Sequence, residues 1–262
     1  MWSYQHTNFS VHQLPALNDN YIYLIQDHNS DMVAVVDPAD ASPVVQACHQ
    51  LETPLTHILN THHHWDHTDG NKPLKAHFSA TVIGAEVDAA RIPEIDITVS
   101  ETSVLLLGTL KVDILFVPGH TIGHIAYLID DALFCGDTLF GGGCGRLFEG
   151  TPEQMWNSLT KLANLPDETR VYCAHEYTLA NLRFARNIDP DNTHLTTRIS
   201  NDTQRRMKQL PTIPTAIGIE KLTNPFLRPL NSQFCSFYAQ QQQISNTPVG
   251  VFTYLRASKD KI

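Results

Sequence analysis

Residues 61–67 read Thr-His-His-His-Trp-Asp-His, and four side chains in that run, His62, His64, Asp66 and His67, are of the types that hold metal ions. Neutral imidazole suits zinc and other borderline metals, and an ionised carboxylate adds charge compensation. In extended backbone, side chains two apart point the same way, so the spacing predicts that His62, His64 and Asp66 converge on one side. His67, next in line, then faces elsewhere, which suits two adjacent ions better than one. A surface histidine run is the bland alternative, and the His-x-His-x-Asp-His spacing argues against it. His63 faces opposite its neighbours and stays outside the ligand set.

Three further candidates stand at the ends of predicted strands. His120 follows Phe116-Val117-Pro118-Gly119, Asp137 follows Leu133-Phe134-Cys135-Gly136, and His175 follows Val171-Tyr172-Cys173-Ala174. In each case an apolar strand delivers one ligand into a turn, where scaffolds commonly present functional residues. Gly119 and Gly136 allow the backbone to turn sharply beside an ion. Taken singly, Asp137 could close a turn and His120 could be a satisfied buried histidine; their shared strand-end position favours metal binding. His124 reads equally well as a hydrogen-bond partner of a ligand or as a loop-stabilising histidine.

The elements that must carry these residues alternate along the first two-thirds of the chain. Tyr21–Gln26 and Met32–Asp37 read as strands, the second a nearly continuous apolar run. Ser42 and Pro43 signal the start of a helix running to about Glu52. Strands follow at Leu55–Asn60, Val104–Leu107, Leu110–Val117, Ile125–Ile129, Ala132–Cys135 and Val171–Ala174. Thr151-Pro152-Glu153-Gln154 is a capping box that opens a helix with Met155, Leu159 and Leu162 on its apolar face. Beyond His175 the chain is helix-compatible at about 177–210 and 231–260, separated by the proline-rich Pro211–Pro214 and the turn-like Asn224–Pro229. The simplest partition is a β-rich domain carrying most of the site, residues 1–175, and a helical domain, residues 176–262.

The 262 residues suffice for one large domain or two modest ones. A formal charge of −9 argues against a general nucleic-acid binder. Five cysteines, an odd number without a pairing pattern, suit reduced thiols in a cytoplasm. No signal peptide and no membrane-spanning stretch is evident. The expectation is a soluble cytoplasmic protein, and nothing demands more than a monomer.

The ordered series His62/His64/Asp66/His67, His120, Asp137 and His175 resembles the ligand set of the metallo-β-lactamase superfamily. That resemblance implies an α+β fold: an αββα sandwich, here followed by the smaller C-terminal helical domain. It implies that His62, His64 and His120 hold one ion, that Asp66, His67 and His175 hold a second, and that Asp137 bridges them. Two divalent ions per chain, zinc first and iron or manganese as alternatives, would make a bridging hydroxide the nucleophile. Asp66 and Asp137 are then the catalytic carboxylates, with Asp66 also orienting the hydroxide.

Further segments narrow the resemblance. Thr-Leu-Phe-Gly-Gly-Gly-Cys-Gly-Arg-Leu-Phe-Glu-Gly follows Asp137, and Glu-Tyr-Thr-Leu-Ala-Asn-Leu-Arg-Phe-Ala follows His175. Asn224–Arg228, Leu255–Asp260 and the early Pro15–Tyr21 complete the pattern. Together they resemble the hydroxyacylglutathione hydrolase (glyoxalase II) family over essentially the full length. The resemblance implies hydrolysis of the thioester S-D-lactoylglutathione to D-lactate and glutathione, the second step of methylglyoxal detoxification. It also implies that Arg146, Tyr177, Arg256 and Lys259 hold the glutathione moiety. The physics agrees, because glutathione offers carboxylates to a guanidinium and an ammonium, and Arg256 and Lys259 at i, i+3 share a helix face. From spacing alone, that pair reads equally as a solvated helix face and Tyr177 as a packing aromatic. Animal members carry Lys where this chain has Arg146 and Tyr where it has Phe148, so any phenolic contact to glutathione from position 148 is absent. A glutathione-persulfide dioxygenase, another hydrolase of the same fold and a noncatalytic metal-binding protein are the rival readings. The intact second ligand set and the helical tail disfavour the first.

Overall fold

The first sheet grows strand by strand from β1 (Trp2–Gln5) through β2 (Phe9–Ala16) and β3 (Asn20–Asp27) to β4 (Val33–Val36), each antiparallel to the last. This is a computed structural model, and it describes residues 1–261. β4 is buried along its whole length, as its unbroken apolar run requires. From there the sheet turns parallel, and parallel neighbours need crossover connections. α1 (Ala41–Gln50) leads to β5 (His57–Leu59); α2 (Trp65–Thr68) and α3 (Asn71–Phe78) lead to β6 (Thr81–Ala85) and then β7 (Ile97–Val99). The sheet packs on α1 and α3 through Leu24, Val35, Val44, Ile58, Leu74 and Val82, all buried. The start of α1 departs from expectation: Asp40, not Ser42, is the N-cap, its carboxylate accepting from Ser42 N at 2.9 Å.

A second antiparallel set runs β8 (Leu105–Leu107), β9 (Leu110–Phe116), β10 (Ile125–Ile129) and β11 (Ala132–Gly136), close to the predicted spans. Gly108, at φ 58°, closes the β8–β9 turn. These elements form one compact unit, residues 1–116 and 123–136.

Residues 117–122 and 137–262 form the other unit. A small hairpin, β12 (Leu139–Phe140) and β13 (Gly143–Cys144), precedes α4 (Pro152–Ala163). The predicted capping box is present: Thr151 Oγ1 accepts from Gln154 N at 3.2 Å, and Gln154 Oε1 accepts from Thr151 N at 2.9 Å. β14 (Arg170–Cys173) leads into α5 (Thr178–Ile188) and α6 (Thr193–Met207). β15 (Thr215–Ala216), which pairs with β14, precedes α7 (Ile217–Thr223), α8 (Ser232–Gln242) and α9 (Pro248–Lys259). α7 lies in a stretch the sequence leaves to prolines and turns. It forms because Ile217, Glu220 and Thr223 are buried and Glu220 has a tertiary partner in Arg198. The β-rich first part and helical C-terminal part meet the expected α+β class.

Candidate functional site

Beyond β5, Asn60 and Thr61 are buried and deliver His62, also buried, into a loop. The backbone bends at Thr61 and His62, and His64 (φ −60°, ψ 147°) is extended just before α2. His64 caps α2, so Asp66 and His67 ride on a single helical turn rather than on extended backbone. The expected extended run is therefore not formed, yet His62 and His64 converge; His67 diverges from Asp66 through helical geometry. His62 Nε2 lies 3.0 Å from His64 Nδ1, so two ring nitrogens aim at one spot. His67 is fully buried with its Nδ1 3.0 Å from Asp37 Oδ2, leaving its Nε2 3.7 Å from Asp66 Oδ2. Asp37 also accepts from Thr61 N at 2.8 Å and Thr61 Oγ1 at 2.7 Å. A carboxylate behind a histidine fixes ring orientation and raises its basicity as a ligand. Asn20 Nδ2 donates to Asp66 O at 3.1 Å and reaches Asp66 Oδ2 at 3.3 Å.

The two histidines outside the ligand set are also accounted for. His63 points to Asp88, its Nδ1 3.0 Å from Oδ2 of that buried carboxylate, which also pairs with Arg91. The His124 ring stacks on His62 at 4.6 Å, with its Nδ1 3.0 Å from Ile125 O. It therefore walls the His62 ring.

The second unit carries the other three donors. His120 follows Gly119 and is buried; its Nδ1 lies 2.8 Å from Arg146 O, a carbonyl that can only accept. That contact puts the proton on Nδ1 and makes Nε2 the ligand atom. His120 Nε2 is 3.3 Å from Asp137 Oδ2, while His175 Nε2 is 3.4 Å from Asp137 Oδ1. Each carboxylate oxygen of Asp137 thus faces a different histidine, the disposition a bridging ligand needs. A Cβ at Gly145 would lie 2.0 Å from Asp137 O and 3.1 Å from His120 Nδ1, so only glycine lets the loop pass there.

The residues expected to meet a substrate are also in this unit. Tyr177 is exposed and stacks flat on His175 at 4.8 Å between ring centres. Arg146 is exposed, and Phe148, 64% exposed, sets its ring edge-on to His120 at 5.1 Å. Lys259 Nζ lies over the Phe184 ring at 5.3 Å. Burial lowers its pKa, and the positive fields of Arg256, Arg183 and Arg146 lower it further. Arg256 is buried at 4% exposure. Its Nη1 donates to Cys144 O at 3.0 Å, its Nη2 to Asp260 Oδ1 at 2.9 Å, and its guanidinium lies 4.9 Å from the Phe226 ring centre.

Sequence reasoning missed Asp37 and Asp88. Asp37 was within reach, since it ends the apolar run Val33–Val36 just as Asp137 follows its own strand. Asp88 carries no local signal. The donor chemistry fits divalent ions: neutral imidazoles with fixed tautomers, and carboxylates to balance charge.

Comparison with known proteins agrees with this chemistry. Residues 17–175 match the model of the metallo-β-lactamase superfamily, and residues 176–262 match that of the hydroxyacylglutathione hydrolase C-terminus. A hydroxyacylglutathione hydrolase of Rippkaea orientalis is 49% identical over 95% of this chain and 98% of its own. One from Acaryochloris marina is 48% identical over 96% of this chain and 99% of its own. Among solved structures, ETHE1 from Myxococcus xanthus superposes with a TM-score of 0.64 at 29% identity, covering 83% of this chain and 84% of that one. The fold is the metallo-β-lactamase fold with a C-terminal helical segment, and the chain belongs to the hydroxyacylglutathione hydrolase family.

Proposed function

We propose that this protein is a thioesterase that hydrolyses S-D-lactoylglutathione to D-lactate and glutathione, the second step of methylglyoxal detoxification. The observation that carries the reading is a complete set of seven donors on a chain whose C-terminal third matches the hydroxyacylglutathione hydrolase model. In this reading His62, His64 and His120 would hold one divalent ion, Asp66, His67 and His175 would hold a second, and Asp137 would be shared between them. We infer zinc as the native metal, from the preference of imidazole-rich sites. When bound, the ions would polarise the thioester carbonyl and lower the pKa of a water.

The protein's own residues do the rest. Asp66, steadied by Asn20, orients the attacking water. Asp37 and the Arg146 carbonyl hold the His67 and His120 rings in their ligand orientations. Arg146, Lys259 and the Tyr177 hydroxyl receive the glutathione moiety, with Arg256 adding charge from beneath. A thiol pKa of about 8.5 lets glutathione leave as thiolate without a dedicated acid. We assign the chemistry to residues 1–175 and substrate binding to residues 176–262, together with Arg146. Five buried free cysteines support a reducing cytoplasm, and no helix among the described residues is long and apolar enough to cross a membrane. We infer a monomer.

Steady-state hydrolysis of S-D-lactoylglutathione by metal-replete protein tests the function, with metal analysis of the same sample. Turnover with two ions per chain is expected. Protein that holds two ions and leaves the thioester intact would sink the proposal.

A further inference from the structure

The cations of the second unit are unevenly satisfied. Arg198, Arg228 and Arg256 each face a carboxylate. Arg146, Arg183 and Lys259 make no side-chain hydrogen bond or ion pair among the described residues. Helix packing brings their surroundings together. On α5, Asn181 Nδ2 donates to Gly141 O at 3.1 Å, tying the helix to the glycine run that ends in Arg146. Arg183 is exposed two residues further on, and the next residue, Phe184, carries Lys259 Nζ over its ring. Phe184 stacks on Phe226 at 5.9 Å, and Phe226 in turn lies under the Arg256 guanidinium. An aromatic shelf thus runs beneath Lys259, which no acid pairs among the described residues, and Arg256, which Asp260 pairs. Arg183 therefore neighbours Lys259 through Phe184, and the charges of Arg183 and Arg146 add to burial and Arg256 in lowering the Lys259 pKa.

Like charges with no counter-ion among the described residues favour an anionic ligand. Of the arginines near Lys259, Arg256 already spends its two terminal nitrogens on Cys144 and Asp260. Its Nε is buried and without a hydrogen-bond partner among the described residues. Arg183 and Arg146 keep their forks open to solvent.

We infer that Arg183 is a substrate-recognition residue whose guanidinium, with Arg146 and Lys259, forms a subsite for a carboxylate of the thioester's peptide moiety. The inference rests on the thioesterase reading and adds a residue to its clamp. An open guanidinium binds a carboxylate through two parallel N–H donors, and Lys supplies a point charge beside it.

The test compares kcat/KM for S-D-lactoylglutathione with kcat/KM for the uncharged thioester S-D-lactoyl-N-acetylcysteamine. Metal-replete wild type, Arg183→Ala, Arg183→Lys and Lys208→Ala are measured side by side. Arg183→Ala is expected to lower the ratio of the two values by about tenfold, the loss of one charge-assisted hydrogen bond, through KM for the glutathione thioester. Arg183→Lys recovers part of the loss. Lys208→Ala, which removes the same charge from an exposed position at the end of α6, leaves the ratio alone. Calorimetric binding of glutathione gives an independent readout, with Kd rising about tenfold in Arg183→Ala. A ratio and a Kd within about twofold of wild type in Arg183→Ala overturn the inference while active wild-type enzyme keeps the thioesterase reading. A wild type that does not hydrolyse the glutathione thioester removes both.

Discussion

Glu220 is fully buried, and all its neighbours donate to it. Oε1 accepts from Arg198 Nη2 at 2.6 Å and Thr215 Oγ1 at 2.7 Å; Oε2 accepts from Gly142 N at 2.9 Å and Asn224 Nδ2 at 3.0 Å. Glu220→Gln preserves volume but replaces one acceptor oxygen by an NH2 group. If that group turns toward Gly142 and Asn224, it meets two N–H donors that cannot reverse. If it turns toward Arg198, the guanidinium loses its closest acceptor in a buried site. Either way a donor is stranded, and the ion pair becomes an uncompensated charge.

Breaking a buried pair by removing one partner costs about 3–5 kcal/mol. Asp202, 3.3 Å from Arg198 Nε, offsets part of that and favours the lower end, about 3 kcal/mol. For a chain of this size, that corresponds to a fall in Tm of roughly 6–12 °C. Differential scanning calorimetry on wild type, Glu220→Gln and the double variant Arg198→Met/Glu220→Gln reads the effect. The double variant should melt above Glu220→Gln, because the stranded guanidinium is gone and Met fills most of its volume. A Glu220→Gln protein melting within about 2 °C of wild type would refute the reasoning. So would a double variant no more stable than the single one.

Three other outcomes follow from the geometry. Burial raises the pKa of Asp27, but Ser30, the amides of Thr109 and Asn29 and the Thr109 hydroxyl outweigh it, leaving a value of about 2 against an ordinary 3.8. A depressed carboxylate stabilises above its unfolded pKa and loses that contribution as pH falls toward its folded one. Asp27→Asn should therefore cost about 2 kcal/mol at pH 7 and almost nothing near pH 2, read by melting at both pH values; an unchanged gap contradicts it. Asp37→Asn should weaken metal binding about 10- to 100-fold in chelator competition, since it removes the carboxylate behind His67, and unaltered affinity would mean that Asp37 only braces Thr61. Gly145→Ala should lower metal content and melting temperature together, because its Cβ drives into Asp137 O; a variant with full metal content argues against the close approach.

The candidate ligands were legible because their signals are local. Strand-end position and a six-residue spacing pointed to all seven candidates before any tertiary information. The path of residues 65–68 was not legible, since a single turn such as α2 has no propensity signal of its own and is held from outside, through Asn60 Nδ2 on His67 O at 2.9 Å. Strands β1 and β2 escaped for a related reason. Ser10, His12 and Gln13 are polar yet buried, which hides the alternation that marks a strand, and Pro15 looks like a breaker until seen at the strand's end. α7 was obscured by the prolines before it. Its anchor, Glu220, meets Arg198 across 22 residues and Gly142 across 78.

The segment 141–145 joins the candidate ligands of the second unit to the proposed clamp. Its first residues are held by Asn181 on Gly141 O, by Glu220 on Gly142 N and by Asn224 on Gly143 O. Its last residue, Gly145, lies against the backbone of Asp137, and the next carbonyl, that of Arg146, orients His120. The same residue, Arg146, turns its side chain to solvent. One short segment therefore sets the tautomer of the candidate ligand His120 with its carbonyl and offers a cation with its side chain. A change that loosens the run is expected to act at both ends, so Glu220 and Asn224, which hold it, would support both. Arg183 sits on the helix that grips the run from the other side, which makes recognition of the peptide carboxylate and the geometry of His120 properties of a single supported loop.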